Sequence, residues 1–246
     1  MKKRDWAALA AFACAAAGLR VLQCRTGFDA AGFALRETVP AAVLLPAVLV
    51  LCAVYFVLAA RRLPSRRDAA ASLPERIELH STPARACGVA GALLVLADAV
   101  LSARGQTSLA ALLLAVFAAA GALAAVAAVF SLHRSGTVQG VVLLVPVCCL
   151  IAHFVFVYRE YSADPVLARI YIEILAVAAL MSSALELAAF AFRDGSMRVF
   201  VPISALGAVL SLAAAAETWR GLASALGYAG CALLELTVLA AVKKNT

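Results

Sequence analysis

Charge is what this chain has least of. Only 14% of its 246 residues are Asp, Glu, Lys or Arg, and 65% are hydrophobic, whereas soluble domains run near a quarter and a half. With a mean hydropathy of +0.99, water is excluded as the main solvent. Enzyme motifs are missing too: there is no H-E-x-x-H, no G-x-S-x-G, no phosphate-binding Gly-rich loop and no G-x-G-x-x-G. The segments between apolar runs are also too short to gather many polar groups. Neither an enzyme nor a cofactor is therefore expected, and the last two runs lack a mid-span lysine that could hold a retinal. The seven cysteines form no C-x-x-C pair and lie nearly all inside apolar runs, which reads as small buried hydrophobes. Cys149 and His153 stand one helical turn apart, but two ligands do not make a metal site.

The formal charge of +7 does not make a nucleic-acid binder, because that function needs a basic stripe on an exposed face. Here the bases sit at the ends of apolar runs, where they act as topological signals. The partner that the composition implies is the lipid bilayer.

What the chain does have is long apolar runs. A crossing takes about 20 residues, and runs of that kind lie near 6–24, 39–60, 86–103, 109–130, 138–157, 166–192, 199–216 and 222–242. The expected fold is all-α: one polytopic membrane helical bundle over 1–246 with about eight transmembrane helices. The start, M-K-K-R-D before an alanine-rich run, resembles a secretory signal. The apolar run continues through Val21 and Leu22, so a retained anchor is expected.

Lys and Arg in short loops set orientation. With the amino terminus inside, one side collects Lys2 to Arg4, the bases of segment 61–85, Arg134, Arg193, Arg198, Lys243 and Lys244. The other side holds Arg25, Arg36, Arg104, Arg159, Arg169 and Arg220. A ratio above two to one predicts both termini in the cytoplasm of a bacterial cell membrane. The only sizeable loop, 61–85, is then cytoplasmic. Its three prolines and mixed charge suit a topogenic segment, and its bases are placed to meet anionic lipid headgroups or a cytoplasmic protein.

A faint duplication is also legible. A-R-G at Arg104 and W-R-G at Arg220 each follow an acid, Asp98 or Glu217, which suggests four-helix halves over 1–130 and 138–246. The junction H-F-V-F-V-Y-R-E-Y-S-A-D-P-V-L-A-R-I-Y-I-E, from His153 to Glu173, concentrates polar and aromatic groups as a membrane boundary does. Asp164 before Pro165 reads there as a helix cap and first helical residue.

Ionisable groups inside spans cost about 2.5–3.5 kcal/mol on insertion scales and face a bundle interior or wet cavity. Arg20, Asp98, His153 and Glu173 fall at similar depth, one to two turns from the outer ends, with Glu217 nearer the rim. Glu186 and Glu235 form a second pair near the inner ends. Ala223, Gly227, Cys231 and Glu235 recur every fourth residue, and Cys87, Gly91, Asp98 and Ser102 make a like stripe; small residues on such a stripe let helices approach closely. Pro46 and Pro146 interrupt their spans.

These features suit a small transporter or permease-like subunit. Its outward-facing site of Arg20, Asp98, His153 and Glu173 would be gated beside the two prolines. The alternative is a non-catalytic scaffold or sensor subunit that docks a cytoplasmic partner through 61–85. A structural ion pair between Arg20 and Asp98 or Glu173 is the plainer reading of the outer layer.

Overall fold

A computed structural model of the chain describes residues 2–27, 39–63, 77, 79, 82–104, 108–132, 136–161, 167–217 and 221–242. Eight helices account for nearly all of them: α1 Lys3–Thr26, α2 Val39–Ala60, α3 Thr82–Ala103, α4 Leu109–Ser131, α5 Thr137–Tyr161, α6 Leu167–Ala191, α7 Met197–Ala215 and α8 Gly221–Ala241. Each is long and apolar enough to cross a bilayer. Lipid offers no partner to a bare peptide group, so every spanning segment must satisfy its backbone internally, and a helix does so. The ends follow local rules. At the start of α1, the Asp5 carboxylate accepts the Lys2 amide at 2.8 Å, as one half of a capping box. At the end of α6, Arg193 takes a left-handed φ of 62° and the Asp194 amide reaches back to the Ala189 carbonyl at 2.9 Å, a Schellman-type stop. Pro46, Pro146 and Pro202 all sit within continuous helices. The expected cap at Asp164 and Pro165 lies outside the described residues.

Six helices close into a ring. Each of α3 to α8 packs on the next, and α8 returns to α3 in the most extensive contact of the molecule. The small-residue stripes explain that last contact. Gly91 and Gly230 bring the two backbones together, so that a Cβ on Gly91 would stand 2.8 Å from the Gly230 carbonyl oxygen. The remaining pair, α1 and α2, packs against the back of α7. As a result α7 is the most enclosed helix, with 72% of its span buried, against 22% for α4.

This division is two helices plus six. The main neighbours of α2 are α1 and α7, whereas α6, its counterpart in the proposed second half, packs on α5 and α7. The neighbour pattern therefore does not repeat between 1–130 and 138–246.

At the end of the bundle where α1 begins, two residues of segment 61–85 are packed into the helices. Ile77 and Leu79 are buried in the core, and Ile77 bridges to Val242 just after α8. Arg85 Nε donates to the Leu79 carbonyl at 3.0 Å, and Arg198 Nε to that of Leu63 at 2.8 Å. Residues 64–76, which carry half of the loop's arginines, lie outside the described residues.

Candidate functional site

A cavity of 840 Å³ opens inside the ring, lined by α3, α4, α5, α6 and α8. It runs most of the length of α4, from Ser108 to Leu132. The α4 wall is Ala, Gly, Val and Leu throughout the helix, for example Leu114, Ala118, Gly121 and Ala125. Polar side chains come from the other helices.

Asp98, His153 and Glu173 all line this cavity, from α3, α5 and α6 respectively. Tyr228 of α8 joins them. Its hydroxyl donates to Glu173 Oε1 at 2.7 Å, and His153 Nε2 lies 3.4 Å from the same hydroxyl and 4.0 Å from Glu173 Oε1. A phenol carries one proton, and here Glu173 receives it. With the phenol proton given to Glu173, the Nε2–H tautomer of His153 is the one that extends the chain to the Tyr228 oxygen. Glu173 is fully buried, while the His153 side chain keeps 29% of its exposure, so the chain leads from an accessible imidazole to an enclosed carboxylate. Asp98 lies against Gly227 on α8's small stripe. Its carboxylate occupies the space that a Cβ on Gly227 would take, and Ser102 Oγ donates to its Oδ1 at 3.0 Å.

Arg20 does not belong to this group, contrary to the expectation of a single four-residue layer. It is fully buried elsewhere, with Nη2 2.7 Å from Glu217 Oε1 and Nε 3.0 Å from the same oxygen. Its Nη1 donates to Gln23 Oε1 at 2.8 Å, and its guanidinium carbon stands 5.5 Å from the centre of the Tyr171 ring. Glu217, placed near the rim by sequence depth, is itself buried. The reason for the separation is angular. Tyr171 and Glu173 are two residues apart on α6, about 200° around the helix, so they serve opposite sides: one the α1 knot, the other the cavity.

The inner pair also resolves into two places. Glu235 lines the cavity and accepts hydrogen bonds from Ser183 of α6 at 2.8 Å and from Ser204 of α7, joining three helices. Glu186 instead accepts the Ser196 amide at 3.1 Å, capping the first turn of α7. Of the two expected gate prolines, Pro146 lines the cavity. Pro46 is on α2, outside the ring.

Tyr228 and Ser204 are the polar members that sequence reasoning left out. Tyr228 follows Gly227 on the small-residue stripe, so the signal for α8 was present; the partner of its hydroxyl was not. Among the described residues, no three His, Cys, Asp or Glu side chains gather closely enough to hold a metal ion.

No protein-family model, curated protein or solved structure matches this chain. Fold and site together define a class only: a multi-helix bundle of membrane-spanning dimensions with a partly polar internal cavity.

Proposed function

We propose that the protein is a small transporter, or the permease-like subunit of one, that takes its solute into the ring cavity. The observation that carries this reading is the convergence of Asp98, His153, Glu173 and Tyr228, from four separate helices, on one space of 840 Å³. Intramembrane charge is costly and is retained where it faces a partner or a pathway. Solute sites in membrane bundles lie between helices near such groups. Both termini are cytoplasmic in this reading. Lys2, Lys3, Arg4, Arg61, Arg62, Arg85, Arg193 and Arg198 all fall at the end where α1 begins, and basic residues stay inside. The Asp98, His153 and Glu173 layer then lies toward the outside of the cell membrane.

The docking alternative draws less support. Within 61–85, Ile77 and Leu79 are buried in the protein's own core and Arg85 donates to the Leu79 carbonyl, so this stretch serves the bundle itself.

The test is uptake of a panel of radiolabelled inorganic and organic solutes into proteoliposomes. One solute is expected to enter in a protein-dependent manner, and Asp98→Asn and Glu173→Gln should abolish that entry while circular dichroism stays unchanged. Entry that ignores both substitutions would remove the site, and specific binding with no entry would make the protein a receptor instead.

A further inference from the structure

The cavity's shape and charge narrow the solute further. Resting on the transporter reading above, we propose that the cavity binds an amphipathic organic cation, an apolar body of drug size with one positive charge.

Size is the first constraint. The 840 Å³ of space falls within the range of sites for small organic molecules, about 300–1,000 Å³, and far exceeds what a bare ion would fill. The second constraint is the α4 wall. Along Leu114, Ala118, Gly121 and Ala125 it offers no polar side chain, so a strongly hydrated solute would surrender water there with nothing in exchange. A molecule that covers this wall must itself be apolar.

Charge is the third constraint. Among the described residues of the lining, three are carboxylates, Asp98, Glu173 and Glu235, against Arg159 and the imidazole of His153. The acids come from α3, α6 and α8 and none from α4, so the α4 wall differs in character from the rest of the lining. An anion entering would meet like charge in a medium where Coulomb forces are poorly screened, and a cation would meet the reverse. Among the described residues no three acids, histidines or cysteines gather closely enough to hold a metal ion, which suits one diffuse organic charge better than a coordinated metal ion.

Two probes of matched shape and opposite sign separate charge from fit: tetraphenylphosphonium and tetraphenylborate. Equilibrium dialysis would be run on the full chain in nanodiscs of neutral lipid, with empty nanodiscs subtracted for partition. Saturable binding of the phosphonium is expected, about tenfold or more tighter than that of the borate. Glu173→Gln and Asp98→Asn should each weaken the phosphonium by a similar factor. Ala118→Phe, which fills the cavity, should weaken both probes, with Ala111→Phe on the same wall as a second version should the first fail to fold. If the borate binds as tightly as the phosphonium and both respond to the filled wall, the cavity stands as a solute site and the cation assignment falls. Phosphonium binding that ignores both carboxylate substitutions also overturns the assignment. If neither probe shows saturable, wall-sensitive binding, the cavity reading fails and the cation assignment with it.

Discussion

The two faces of α6 handle buried charge in opposite ways. On the Tyr171 face, Arg20 meets Glu217, Gln23 and an aromatic ring in a knot with no exposure at the arginine. On the Glu173 face, a carboxylate, a phenol and an imidazole share a cavity large enough to admit another molecule. A complete knot holds helices in place and offers nothing to a ligand. A polar group beside open space stabilises less and is available for chemistry. The ionisable residue that sequence depth ranked with the others thus lies in the α1 knot, while Asp98, His153 and Glu173 line the cavity.

The sharpest way to break that contrast is to remove Arg20. Arg20→Met leaves Glu217 buried without its cation, a loss of about 3–5 kcal/mol, read as a lower midpoint in detergent-induced unfolding. Arg20→Met with Glu217→Leu should recover most of it, and a silent single variant would show that the knot holds nothing together. Next in size is the backbone contact of α3 with α8. Gly230→Val drives a side chain into the Gly91 carbonyl region and should cost about 1–3 kcal/mol as overpacking does, measured by thermal unfolding of the purified protein. Ser204→Ala removes one of two hydroxyls that Glu235 accepts; a loss of about 1 kcal/mol is expected, and Ser183→Ala should match it roughly. Smallest in stability is Glu173→Gln. An amide oxygen still accepts the Tyr228 hydroxyl, so unfolding should shift by less than about 1 kcal/mol while phosphonium binding drops. Equal losses at Glu173 and Arg20 in unfolding experiments would erase the difference between the two faces.

The spans themselves were legible to within a few residues, because crossing a bilayer fixes both length and polarity. So were the close-packing stripes, since Gly91 and Gly227 reflect a local steric need that spacing alone reveals. Lateral order was not legible. On α2, Val50 and Leu51 are about 60% exposed while Leu45 and Phe56 are buried, yet all four are equally apolar. Where the surroundings are as oily as the interior, hydrophobicity no longer marks the inward face. Depth counting failed for Arg20 for a related reason. All eight helices pass through the same level, so height alone cannot choose between Glu217, Asp98 and Glu173. The choice depended on α7 lying beside α1, a contact between segments nearly two hundred residues apart.

Closure of the ring by its last member carries a consequence for biosynthesis. The α3 face that receives α8 is made early, and Gly221 follows Ala103 by more than a hundred residues, roughly ten seconds at ribosomal speed of about 5–20 residues per second. Until α8 emerges, the ring is open between α7 and α3, and Asp98 lacks the Gly227 backbone against which it packs. A chain that ended ahead of that helix would lack the α8 wall of the cavity and the Tyr228 and Glu235 side chains that it brings.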